Sequence, residues 1–336
     1  MTQTVLETPV AARRAGGLRL AQLRDLALIP AIIVMGIVGY FVSPVFLHWE
    51  NIVNVLQQQS EISLLVLAEA LILITGRMDL SLESTFGIAP GVAAWLVLAP
   101  GIAHGLGWLS GGWSIPVTLA AGVLVGLLNG LLIVKFRLNG FIVTLGMLIT
   151  LRGLLTGITH GKTFFNLPDS FLYLGNAVWL GIPASIWICL ALYAVAVVVM
   201  GYTRVGRSLY AIGGNPDAAR AAGIRVDRVI WTVLVIGSLL AALGGLLYTG
   251  RLASVAASQG SGQIFTVFAA TVIGGVSLNG GKGTIFGAFT GILLLYLVQN
   301  VLTLAEVPGE WFNFVNGVII LFALVLARIT AGKAQE

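Results

Sequence analysis

Charge is scarce in this sequence. The 18 basic and 13 acidic residues make up 9% of a 336-residue chain, where a soluble domain carries about 25%. With 58% hydrophobic residues and a mean hydropathy of +0.99, that deficit excludes an ordinary soluble fold. Histidine is rarer still. His48, His104 and His160 stand far apart, which excludes a zinc cluster. The single cysteine, Cys189, lies in an apolar run; it has no partner for an intramolecular disulfide and is expected to serve packing. Glycine is plentiful, yet the run VIGGVSLNGGKGTIFG is no phosphate loop. That loop needs G-x-x-x-x-G-K-S/T, whereas Lys282 is followed by Gly283 and the position six before it is Val276. No G-x-G-x-x-G closes a strand, and no serine sits in a nucleophile elbow. The sequence therefore predicts no catalytic, metal or cofactor site. It also lacks a low-complexity segment, an internal repeat and a soluble domain.

What it has is long apolar runs. A span needs about 20 apolar residues, and about ten such runs occur, at 26–47, 54–76, 84–103, 115–134, 140–159, 184–202, 229–250, 263–279, 284–304 and 312–329. The reading is an all-α polytopic membrane protein: a basic arm over 1–25 near anionic lipid, a transmembrane domain over 26–329, and a tail over 330–336. The first span has no small-residue cleavage pattern and reads as uncleaved. Basic residues set the orientation. With both termini in the cytoplasm, 15 of the 18 basic residues fall inside: Arg13, Arg14, Arg19, Arg24, Arg77, Lys135, Arg137, Arg204, Arg207, Arg220, Arg225, Arg228, Lys282, Arg328 and Lys333. Arg152 falls within a span, and Lys162 and Arg251 lie outside or near the outer face. Topology accounts for the net charge of +5, so no nucleic-acid partner is needed.

The longest polar interruption is the loop 203–228, TRVGRSLYAIGGNPDAARAAGIRVDR, with five arginines against two aspartates. It contains the punctuation of a short helix. Gly213 and Gly214 break the chain, Asn215 suits the cap, Pro216 the first helical position and Asp217 the positive end of the dipole, and Gly223 ends the helix. The loop reads either as a plain connector or as a handle gripped by a soluble partner. In the second span, Gln58, Glu61 and Glu69 fall within an arc of about 80°. Carboxylates at that depth line a wet path or bond to a neighbouring helix. The turn GRMDLSLES reads as a helix start, with Asp79 and Ser81 as caps. Gly122, Gly126 and Gly130 form a small-residue stripe for close helix approach, and Asn129 on the same segment is expected to bond across helices. Arg152 is either a pore charge or a partner for a buried carboxylate such as Glu69. Trp49, Trp108, Trp113, Trp179, Trp187 and Trp311 fall at outer span ends and read as an aromatic belt.

Four stretches, in order and spacing, resemble one family. GRSLYAIGGNPDAARAAGI resembles the cytoplasmic loop of permease subunits of bacterial sugar ABC importers of the ribose, xylose, arabinose and rhamnose type, in the branched-chain-amino-acid/sugar permease superfamily. GRMDLSLES is similar to that family's GGIDLSVGS turn, LLNGLLIVKFRLNGFIVTLGMLITLRG to its PFIVTLG segment, and AATVIGGVSLNGGKGTIFGAFTGILLL to its AAxVIGGTSLxGGxG segment. The departures are Arg77 for a glycine, Leu82-Glu83 for Val-Gly, Gly140 for a proline and Gln263 for a glutamate. The resemblance implies a type II ABC importer permease of about ten helices in a bacterial inner membrane. It also implies a separate ATP-binding subunit with tandem domains carrying ATP and Mg, a second permease copy or paralogue, and an extracytoplasmic sugar-binding protein. Gly213, Gly214, Asn215, Pro216, Asp217, Ala218, Ala219, Arg220 and Gly223 match the ATPase-coupling helix. The expected substrate is a monosaccharide, a pentose or deoxyhexose such as ribose, xylose or rhamnose; a furanose signal or galactofuranose stays open. Gln58, Glu61, Glu69, Asn129 and Asn300 are the expected path residues, the amides being better suited to a neutral sugar than the carboxylates. The alternative class is a proton-coupled secondary transporter using Glu61 or Glu69.

Overall fold

A computed structural model describes residues 28–101, 105–312, 314, 315, 317, 318 and 321. The basic arm, His104, the tail and two thirds of the expected tenth span lie outside the described residues. Within them the protein is almost wholly helical. Five helical segments are individually long and apolar enough to cross a membrane: Gly111–Lys135, Gly140–Thr159, Ala184–Tyr202, Val226–Leu252 and Ile285–Leu304.

The bundle is organised on α2 (Trp49–Ile74), which follows the short α1 (Ile29–Val42). At 26 residues α2 is about 39 Å long, and every residue from 59 to 70 is buried. A helix covered all round belongs inside a bundle; this one can therefore carry Ser60, Glu61, Ser63 and Glu69 without exposing them to lipid. Next comes α3 (Ser81–Val97), buried without a break from Ser81 to Gly91. The fourth helix, α4 (Ser114–Gly130), ends in a wider π-type turn, Leu131–Lys135. Asn139 caps α5 (Gly140–Thr159) by accepting the Ile142 N–H at 3.2 Å.

The connection that follows is structured. It holds α6 (Asp169–Asn176) and a minimal hairpin of β1 (Val178–Trp179) and β2 (Ile182–Pro183). Then come α7 (Ala184–Tyr202), α8 (Arg204–Gly214), α9 (Pro216–Ala221) and α10 (Val226–Leu252). The described helices close with α11 (Gln263–Ile273) and α12 (Ile285–Leu304).

Glycine sets how closely these helices meet. Gly122, Gly126 and Gly130 of α4 lie directly on α10, where a Cβ would overlap Ala242, Val235 and Trp231 respectively. On other faces of α10, Gly244 and Gly245 receive the backbone of α2 at Glu61 and of α3 at Phe86. The small-residue stripe expected from sequence is thus the α4–α10 seam. All six tryptophans expected at the outer level are exposed, and Trp187 Nε1 donates to the Trp179 carbonyl at 3.0 Å.

The boundaries differ from the sequence reading in instructive ways. The apolar run 263–279 is not one span. Its helix stops at Ile273 after 11 residues, about 16 Å of rise against a hydrocarbon core of about 30 Å. Hydropathy cannot register the cause: Gly275 is left-handed at φ 85°, and Gly274 lies against the backbone of Gly287 at the start of α12. The run 84–103 is shifted as well, to Ser81–Val97.

Candidate functional site

Two regions carry the polar chemistry. The first is the loop 203–228. Thr203 caps α8 by accepting the Val205 and Gly206 N–H groups at 3.2 and 3.4 Å. Gly206, Leu209 and Ile212 form its buried stripe, so α8 lies flat on the bundle. Its last turn is pinned: Gly213 sits against the Ile74 carbonyl and the Gly281 amide, Gly281 N–H itself donates to Ile74 O at 2.9 Å, and Tyr210 Oη donates to Gly283 O at 2.8 Å. From sequence, Gly213-Gly214 are expected to break the chain. They instead complete α8, and the break is Asn215, with φ −160° and ψ 106°.

Asn215 Oδ1 then accepts the Asp217 and Ala218 N–H groups, each at 3.0 Å, and opens α9 with Pro216 in its first turn. Arg220 bonds Asp217 at 2.9 Å and Asp227 at 3.4 Å. Gly223, at φ 83°, ends the helix: Ile224 N–H returns to Ala219 O at 3.0 Å and Gly223 N–H to Arg220 O at 2.9 Å, a paired closure that needs a left-handed residue. Asn215, Pro216, Asp217, Ala218, Arg220 and Gly223 are exposed, as is Gly214. Ala219 alone is turned inward and buried. Beneath the loop, Arg77 is pushed below the usual guanidinium range by burial; Asp227 opposes that shift and Arg220 adds to it.

The second region lies inside the bundle, where two helices start below the surface. Residues 77–79 have no regular structure and bring Asp79 to full burial before α3 begins. Asp79 Oδ1 accepts the Ser81 N–H at 2.9 Å and the Ser81 hydroxyl at 2.6 Å. Asn129 Nδ2 of α4 donates to Ser81 Oγ at 2.8 Å and to Asp79 Oδ2 at 3.2 Å. One turn on, Glu83 Oε1 meets Arg152 Nη2 of α5 at 3.0 Å, while Glu83 Oε2 accepts the Ile264 N–H at 3.1 Å and caps the short α11. Arg152 Nη1 donates to Gln259 O at 2.6 Å. The Gln259 side chain, also buried, donates to Phe86 O, Gly245 O and Thr249 Oγ1. Non-helical backbone at this depth survives only when enclosed by protein and bonded; Glu83, Arg152 and Gln259 do the bonding. Two departures from the family pattern, Glu83 and Gln263, therefore sit at one junction.

The remaining sequence candidates are dispersed. Glu61, fully buried, takes both Nε and Nη2 of Arg251, at 2.7 and 2.9 Å, and that guanidinium lies 5.3 Å from the Tyr248 ring centroid. Asn300 and Asn51 exchange amide bonds at 2.9 and 3.0 Å, tying α12 to α2. Gln58 donates to Asn54 at 3.0 Å. Glu69 is fully buried beside Asp79, whose backbone N–H faces its carboxylate. Arg152, expected near a carboxylate such as Glu69, pairs with Glu83 instead. Sequence reasoning missed Glu83, Arg251 and Gln259. The available signal was that charges inside apolar runs must balance. Among the described residues no three potential ligands come together for a metal.

Comparison with known proteins places this architecture. Residues 51–324 match the family described as branched-chain amino acid transport system / permease component. The chain is 34% identical to the ribose import permease protein RbsC of Escherichia coli over 304 residues, 89% of this chain and 92% of that one. It is 34% identical over 307 residues to the autoinducer 2 import system permease protein LsrC of an Enterobacter species, 90% of this chain and 86% of that one. The ribose import permease of Haemophilus influenzae is 32% identical over 299 residues, 88% and 90% of the two chains. No solved structure matches. The matched region runs from the start of α2 past the end of α12, so it takes in the loop 203–228, both buried helix starts and the α4–α10 seam: the chain belongs to the family of permease components of these transport systems.

Proposed function

We propose that this chain is the membrane subunit of an ATP-driven importer of a monosaccharide, a pentose or deoxyhexose of the ribose type, in a bacterial inner membrane with both termini cytoplasmic. The observation that carries the proposal is α9: a helix capped at both ends, exposed on every side but Ala219, and held on the bundle by the pinned α8. That is the form of a rigid handle for a soluble partner, and 34% identity to a ribose import permease supports a cargo of that class.

In this reading a separate ATP-binding subunit with tandem domains binds ATP and Mg and grips Asn215–Gly223 from two permease copies. Closure of the ATPase tips the bundle from inward-open to outward-open. An extracytoplasmic binding protein supplies the sugar. No covalent chemistry falls to this chain. The work comes from the different fit of the ATPase to the two states. A second copy is served by α5, which buries only Thr144, Leu151, Leu155 and Thr159 of its 20 residues. Gly146, Gly153 and Gly157 there face open space and allow close helix approach. Within the bundle, Gln58 and Asn129 are the amides offered to sugar hydroxyls, with Glu69 the one path carboxylate not already in an ion pair.

The autoinducer 2 relative, at the same identity, favours a second reading in which the cargo is a furanose-like signal. Purification of the tagged permease from its native membrane, with identification of co-eluting chains, tests the importer reading. A tandem ATP-binding subunit and ATP-dependent uptake of ribose in proteoliposomes are expected. Uptake that follows a proton gradient without any ATPase would refute it.

A further inference from the structure

A groove of about 360 Å³ opens between α7 and α10, floored by Leu67 and Leu71 of α2 and closed at one end by α8. The α10 wall runs from Arg228 to Leu240, 12 helical steps or about 18 Å, slightly more than one leaflet of a hydrocarbon core about 30 Å thick. Its only charged lining residue is Arg228, at the end next to the cytoplasmic loop; the remainder is apolar apart from Thr232. Exposed Arg204, Arg207 and Arg225 lie on the same stretch of loop, and none of these four arginines has a carboxylate partner among the described residues.

An apolar slot one leaflet deep, with Arg228 at one end and no carboxylate paired to it among the described residues, matches an amphiphile with an anionic head. The volume lies within the range of small-molecule sites, about 300–1,000 Å³, and is too confined for a flat helix–helix contact. The mouth faces the leaflet in which anionic lipids attract basic residues, an orientation that rests on the importer reading above. We propose that this groove binds one anionic glycerophospholipid of the inner leaflet, acyl chain between α7 and α10 and phosphate on Arg228. The lipid would then wedge the two helices that flank the cytoplasmic loop.

The test is native mass spectrometry of the full complex in mild detergent, titrated separately with phosphatidylglycerol and phosphatidylcholine. Phosphatidylglycerol should remain as a discrete adduct, one per permease, and bind more tightly than phosphatidylcholine. Arg228→Ala should weaken phosphatidylglycerol about five-fold, equivalent to ~1 kcal/mol for one basic residue, and weaken phosphatidylcholine, whose choline cation offsets its phosphate, by less. Ala196→Trp should fill the slot and remove both adducts while the ATP-binding subunit still co-purifies. Retained ATPase separates failure of the lipid site from failure of the importer reading. Equal binding of the two lipids, insensitivity to both variants, or photocrosslinking from Val195 to a second permease or to this chain's own termini instead of lipid would each overturn the proposal.

Discussion

The Glu83–Arg152 pair is where the fold is most exposed to a single change. Replacing Arg152 by alanine removes the 3.0 Å contact to Glu83 and the 2.6 Å contact to the Gln259 carbonyl together. At 3.0 Å and an effective dielectric of about 20, the Coulomb term alone is about 5 kcal/mol. Part of that is lost because the arginine side chain is 20% exposed, while Glu83 is 7% exposed and is left behind with only the Ile264 amide. Breaking a buried pair typically costs about 3–5 kcal/mol. The lower end, about 3 kcal/mol, fits the partial exposure. At roughly 2 °C per kcal/mol for a large domain, Arg152→Ala should melt about 6 °C below the parent. The single buried Cys189 provides the assay, since a thiol-reactive dye reads its exposure as detergent-purified protein is heated. Glu83→Gln/Arg152→Ala, which keeps an acceptor for Ile264 but removes the stranded charge, should recover at least half the loss. If the double variant melted as low as Arg152→Ala, or if Arg152→Ala melted with the parent, the pair would not be holding the α3–α5–α11 junction.

Other outcomes follow from the same geometry. Asn215→Ala removes the acceptor for two amides, worth about 1 kcal/mol; exchange at 217–221 should quicken about five-fold, with α10 unaffected, when read by hydrogen–deuterium exchange. Gly126→Leu should abolish correct insertion, because a side chain there has only α10 backbone to occupy. Gly153→Leu, facing open space, should leave the monomer's melting unchanged and lower only the recovery of paired permease on size exclusion. Tyr193→Phe loses the bonds to the Ser63 carbonyl and hydroxyl at 2.8 and 3.0 Å and should lower stability by about 1–2 kcal/mol, read in the same thiol assay.

Local signals were legible in the sequence where a local cause sufficed. Asn215, Pro216 and Gly223 each work within a few residues of themselves, and the cap and stop they predict are those found. The Gly122–Gly126–Gly130 stripe was legible because spacing alone makes a seam, although which helix fills it was not. Pairings across the bundle were opaque. Glu61 and Arg251 are 190 residues apart and Glu83 and Arg152 are 69 apart; an isolated charge in an apolar run says that a partner exists and nothing about which. The short α11 was hidden for a different reason. Hydropathy counts apolar residues and does not notice that 274–284 fold back as a turn whose glycines pack on the backbone of α2, α8 and α12.

The contact of Gly213 with Ile74 and Gly281 sets the stiffness of the machine. Three backbones meet at that joint with no side chain between them, so it has no compliant layer to absorb strain. A push on α8 reaches the end of α2 undamped. From Ile74 the buried rod of α2 extends 13 residues, about 20 Å, to Glu61, which is clamped to Arg251 at the far end of α10. The two ends of the bundle are thus geared together through one helix, and any slack must be sought in α1, α5 and α7, which remain open to their surroundings.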